Sequence, residues 1–172
     1  MADPYALNTK PPSANEQIRF LVNLQRILDE GQFVATYKYA LLLALADISV
    51  ESGDDTGAAL SIPTTTIAEE FIQLYWRQTV PYPSAFAQVL QQNTGKQAAI
   101  VNAICSARSA HADSLSKLSR SRSWNKLGRR VAKVVQVMPL WKLQKIGSDT
   151  RLLDPIRSAT EPSTRRRDHG VE

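Results

Sequence analysis

Trp124-Asn-Lys-Leu-Gly-Arg-Arg-Val-Ala-Lys-Val-Val-Gln-Val-Met138 is the stretch from which the fold can be argued. Wound at about 100° per residue, Trp124, Leu127, Val131, Val134, Val135 and Met138 fall in one sector. Lys126, Arg129, Arg130 and Lys133 fall roughly opposite. A stripe with this period belongs to a helix and not to a strand. An apolar stripe so wide must bury against other helices, and Pro139 supplies the stop. The outward face carries four cations over about two turns, an array that can straddle phosphates, with the arginines adding two-pronged geometry.

Upstream, Ser114 to Ser123 is rich in serine, arginine and lysine, with Leu115 and Leu118 as its only apolar anchors. It adds Lys117, Arg120 and Arg122 to the basic set just before the helix, with hydroxyls interleaved for phosphate contacts. A solvated helix face and a plain polar loop are the alternative reading of the same residues.

The rest of the chain supplies the body. Ser13-Ala-Asn-Glu16 has the form of a capping box and opens a first helix over about Ala14 to Glu30, stopped by Gly31. Its apolar residues cover two faces, which implies burial on both sides. A second helix, about Thr36 to Val50, is apolar nearly all round and is expected at the centre of the bundle. Ser52-Gly-Asp-Asp-Thr-Gly57 breaks it, and Leu60-Ser-Ile62 has room for a short strand. A second capping box, Thr66-Ile-Ala-Glu69, predicts a third helix to about Gln78, ended by Pro81-Tyr-Pro83. Ala85 to Gln92 reads equally as a strand or a short helix. A third capping box, Thr94-Gly-Lys-Gln97, predicts a fourth helix to about Ala112. The expected architecture is mainly α, a compact bundle of about five helices over residues 13–146. A disordered lead (1–12) precedes it and a disordered tail (147–172) follows it.

Charge is unevenly placed. Residues 1–95 hold five Lys/Arg and ten Asp/Glu, residues 96–146 hold eleven Lys/Arg and one acid, Asp113, and residues 147–172 hold five of each. An acidic first half joined to a strongly basic segment points to an anionic partner, nucleic acid first, with duplex DNA the form expected. An acidic protein surface meeting the basic helix is the other partner considered, and the oligomeric state stays open.

Several chemistries find no footing. The single cysteine, Cys105, cannot make a disulfide framework or a cysteine-based zinc site. His111 and His169 lack ligands at metal spacing. Asp47 and Glu51, one turn apart, read as charges at the end of a buried run more readily than as an acid–base pair. No nucleophile elbow, phosphate-binding loop or dinucleotide fingerprint occurs. The apolar run Tyr39 to Ala46 is too short for a span of about 20 residues, so no membrane association is expected, and a cytoplasmic location is the natural reading. Helices at Thr66–Trp76 and Thr94–Ile104 are too far apart for a tight helix-turn-helix, though a winged variant would accept the link. Tyr75, Trp76, Arg77 and Tyr82 offer base stacking or, as the simpler reading, core packing with a snorkelling arginine.

Phe20-Leu-Val-Asn-Leu-Gln-Arg-Ile-Leu-Asp-Glu-Gly31, Thr36-Tyr-Lys-Tyr-Ala-Leu-Leu-Leu-Ala-Leu-Ala-Asp47 and Ile67-Ala-Glu-Glu-Phe-Ile-Gln-Leu-Tyr-Trp-Arg77 resemble the N-terminal region of bacterial HNH-endonuclease-type proteins. Gln92-Asn-Thr-Gly-Lys-Gln97 and Pro139-Leu-Trp-Lys-Leu-Gln144 fit the same pattern. The resemblance implies a helical region that binds or positions DNA ahead of a metal-dependent nuclease module. That module would use a histidine base and a divalent metal held by His, Asp or Asn. Only Asp168-His169 echoes it here, so no catalytic residue and no cofactor carries over, and a truncation or frameshift in place of the module is expected.

Overall fold

The computed structural model describes residues 11–30, 36–54, 60–83, 88–93, 95–111 and 113–140. Among the described residues there are six α-helices: α1 (Ala14–Glu30), α2 (Tyr37–Ser52), α3 (Thr64–Trp76), α4 (Ala99–Ala110), α5 (Leu115–Ser119) and α6 (Arg122–Val135). A 3₁₀ turn, Arg77–Thr79, extends α3, and a π-helical turn, Gln136–Leu140, extends α6 past Pro139. Among the described residues there is no strand, so Leu60-Ser-Ile62 is irregular, as are residues 88–92. The expected lead over residues 1–10, the Trp141–Ile146 end of the helical domain and the tail over 147–172 lie outside the described residues. No helix among the described residues is long and apolar enough to cross a membrane.

The centre of the bundle is α3, not α2. It packs against α2, α4 and α6. Its Ile67, Ala68, Phe71, Ile72 and Tyr75 are all buried. The predicted helix was expected to open at Thr66; it opens at Thr64 instead. Pro63 sits extended just before it (φ −60°, ψ 137°), and the Pro63 carbonyl accepts from Thr66 N–H at 3.0 Å. Proline at a helix start loses nothing, because it lacks the N–H that would be orphaned there. Thr66 therefore lies within the first turn, and the second capping box does not form.

On α2, Ala40, Leu41, Ala44 and Ile48 are buried, whereas Tyr39, Leu43 and Val50 are exposed. An all-round apolar sequence thus has only one covered side. The first helix departs further from expectation. Its capping box forms, with Ser13 N–H donating to Glu16 Oε2 at 2.7 Å and Glu16 N–H reaching Ser13 Oγ at 3.4 Å. Yet Ile27 is its only buried apolar side chain, and Ile18, Phe20, Leu21 and Val22 face water. The reason is one of partners. The end of α1 is held where Lys38 Nζ donates to the Ile27 carbonyl, one of the four a helix C-terminus leaves orphaned. Burial holds the Lys38 pKa below its usual value.

Buried hydroxyls join the elements. Tyr37, Phe71 and Tyr75 form an aromatic trio with centroids 5.8 to 6.3 Å apart. The Tyr37 hydroxyl accepts from Ile100 N–H at 3.0 Å, satisfying an orphan donor at the start of α4, whose N-cap Ala98 has no side chain able to do so. The Tyr75 hydroxyl lies 2.7 Å from Thr36 Oγ1. Since Thr36 gives its single proton to Gln92 Oε1 at 2.6 Å, Tyr75 is the donor of that pair. Gln97 Oε1 accepts from Gln92 N–H at 3.1 Å and from Ala98 N–H at 2.9 Å. That differs from the predicted box starting at Thr94, a residue outside those described: the helix begins only at Ala99.

Candidate nucleic-acid interface

The strongest helix pairing in the molecule is α3 against α6. From α6, Leu127, Val131 and Val135 are buried and Trp124 and Val134 half-buried, as the apolar sector of the sequence requires. At roughly 25 cal/mol per Å² of apolar surface, three such side chains hold the helix to the body with several kcal/mol. Ser121 fixes where it begins. Ser121 Oγ accepts from Ser123 N–H at 3.2 Å and donates to the Leu118 carbonyl at 2.7 Å.

That start brings in a residue the sequence placed just before the helix. Arg122 is the first residue of α6, and Arg122, Lys126, Arg129 and Lys133 recur at i, i+4, i+7 and i+11. They share a sector of roughly 60° and run about 16 Å along the helix, with Arg130 on the flank. All five are exposed. Asn125 and Gln136, also exposed, border the stripe on its other side. Their wheel positions made them findable beforehand, as uncharged hydrogen-bonding groups beside the cations.

The Ser114–Ser123 stretch is not a loop. Ser114 Oγ accepts from Lys117 N–H at 3.3 Å and starts α5, whose Leu118 is completely buried while Leu115 packs half-buried. Lys117 and Arg120 remain exposed on this short helix and the turn after it. All seven sequence-predicted cations are therefore solvent-facing, on one continuous α5–α6 segment. None of the seven has an ion pair among the described residues.

Acidic groups gather elsewhere. Burial, then the charges of Glu51, Asp47 and Glu69, push the Glu70 carboxyl above its usual range. Glu69 accepts the Trp124 indole N–H at 3.2 Å. On the wheel Trp124 lies opposite the basic stripe, so this carboxylate leaves the stripe unneutralised.

The remaining candidates settle into structural roles. Tyr75 and Trp76 are buried, while Arg77 and Tyr82 are exposed. Arg108 takes the stacking position over Trp76, its guanidinium 4.7 Å from the ring centroid. It also donates to the Trp76 carbonyl at 2.8 Å and pairs with Asp113 at 2.8 Å. Asp113 holds a left-handed backbone (φ 59°) in the turn after α4. Burial raises the Cys105 thiol, which is the opposite of activation. Among the described residues no three His, Cys, Asp or Glu side chains are grouped to hold a metal.

No curated protein and no solved structure matches the chain. Residues 17–163, which take in nearly all of α1 and everything from α2 to α6, match the family described as a domain of unknown function, DUF8808. The chain belongs to that family.

Proposed function

We propose that the chain is a DNA-binding domain that grips the phosphate backbone of duplex DNA with the exposed face of α6. The observation that carries this reading is the row Arg122, Lys126, Arg129 and Lys133, flanked by Arg130, on a helix clamped to the core by its other side. Five cations within about 16 Å, none ion-paired among the described residues, form a spacing that charge-assisted contacts to successive phosphates can use. The major groove also admits a helix of this width. Lys117 and Arg120 assist from the preceding turn.

Such contacts position a protein on the duplex more than they read sequence. The domain is therefore assigned a positioning role, with no catalytic step of its own. Its proposed setting, from the sequence resemblance, is beside an HNH-type nuclease module. Direct comparison tests the assignment. At low salt, wild-type protein should bind random-sequence duplex. The variant carrying Lys126→Gln, Arg129→Gln, Arg130→Gln and Lys133→Gln, with its helix content intact, should lose at least about tenfold in affinity. Equal binding by the two proteins would remove the site. Loss of an acidic protein ligand without any DNA binding by wild type would move the face to protein recognition.

A further inference from the structure

The exposed apolar side of α1 and α2 is the largest apolar surface among the described residues. On α1, Ile18 (59%), Leu21 (60%) and Val22 (50%) follow one another at i, i+3 and i+4, while Phe20 (53%) lies on the other side of the helix, in the sector of Ile27. On α2, Tyr39 (47%) and Leu43 (52%) continue the patch. Between the two helices runs an open groove of about 320 Å³ lined by Leu24, Leu28, Tyr39, Leu42 and Leu43. The five exposed side chains of this face leave roughly 400 Å² of apolar surface in water, the size of the largest patch on a typical monomer, which is often an interaction site. A helix in a folded protein draws most of its stability from covering its apolar face, and on α1 only Ile27 is fully buried.

We infer that this face is covered by a second copy of the chain. In the proposed dimer α1 packs antiparallel on α1 of the partner, across a two-fold axis near Leu21 and Val22. An amphipathic helix at the edge of a fold is self-complementary under such an axis, and the contact closes without generating filaments. Two copies would together remove about 800 Å² of apolar surface, and the polar rim brings the total to about 1,200 Å², the lower bound for a stable interface. A lipid surface fits less well. Interfacial helices carry a basic polar side, whereas Arg19 and Arg26 are outnumbered on α1 by Glu16, Asp29 and Glu30. The inference does not depend on the DNA reading, because it uses none of the α6 residues.

Sedimentation equilibrium of the full chain from about 1 to 100 µM, the range in which modest interfaces assemble, is the test. The expected mass is twice 19.1 kDa at the upper concentrations. The double variant Leu21→Glu, Val22→Glu should be monomeric with unchanged far-UV circular dichroism. Val22→Cys in a Cys105→Ser background should oxidise to a covalent dimer, since the axis brings the two copies of position 22 together. If the glutamate variant loses helix content, the crosslink decides. A wild-type monomer throughout the range overturns the proposal, as does a dimer that survives in the folded double variant. A monomer that co-sediments with anionic phosphatidylserine vesicles overturns it in favour of a membrane surface.

Discussion

Leu118→Ala isolates the one element whose existence depends on a single side chain. A five-residue helix has no stability of its own, and Leu118, completely buried, is what holds α5 to the body. The substitution removes three carbons. At about 0.8 kcal/mol per buried methylene the transfer loss is about 2.4 kcal/mol. An incompletely relaxed cavity raises it to about 3 kcal/mol, at the lower end for Leu→Ala because a short helix can settle inward. For a domain of this size that corresponds to a fall in Tm of about 10 °C. Thermal unfolding followed by far-UV circular dichroism, with urea titration for the free energy, reads it directly. Leu115→Ala, at a half-buried position on the same helix, should cost about 1 kcal/mol and serves as the control. Duplex affinity measured well below the transition should stay within about threefold, since the α6 cations keep their places. A Leu118→Ala cost under about 1 kcal/mol would mean that α5 is not packed as described.

Gly128→Ala should stabilise the protein by about 0.5–1 kcal/mol. Gly128 lies within α6, its φ is not positive, and an added Cβ meets nothing within 4 Å; a lower Tm for this variant would show that α6 sits closer to its neighbours than described. Tyr75 is pushed up to about 12, chiefly by burial, from an ordinary value of 10.0. Its protonated form therefore favours the folded state fully below pH 10.0, and that contribution declines as the pH climbs from 10.0 towards about 12. Tyr75→Phe should cost about 1 kcal/mol at neutral pH through the lost bond to Thr36, and the variant's stability should fall less steeply than wild type over the alkaline range.

What the sequence made legible was local, and what it hid was relational. The two-faced character of α6 is written into residues a turn apart, so its buried and exposed sides were read correctly from the chain. The Ser13–Glu16 cap is likewise complete within four residues. In contrast, α5 offers only Leu115 and Leu118, too few to establish a period, and it forms because tertiary packing and two serine caps support it. Arg122 falls outside the helix that the apolar period alone defines, since the start of α6 is set by Ser121. The apolar side chains of α1 need cover, but sequence cannot say which surface provides it; among the described residues only Ile27 is fully buried, with Leu24 and Leu28 partly covered. Thr66 and Glu69 had the capping pattern, and Pro63 displaced it by opening the helix two residues earlier. The Thr36–Tyr75–Gln92 network joins residues far apart in the chain and leaves no local signature.

The salt dependence of duplex binding probes the basic face most directly. With about four to six phosphates neutralised, the plot of log affinity against log salt concentration should have a slope of roughly −4 to −5. Replacing Lys126, Arg129, Arg130 and Lys133 by glutamine should flatten it to about −0.5 to −1.5. A wild-type slope near zero, or the same slope in both proteins, would contradict the assignment of α6 as the DNA-gripping surface.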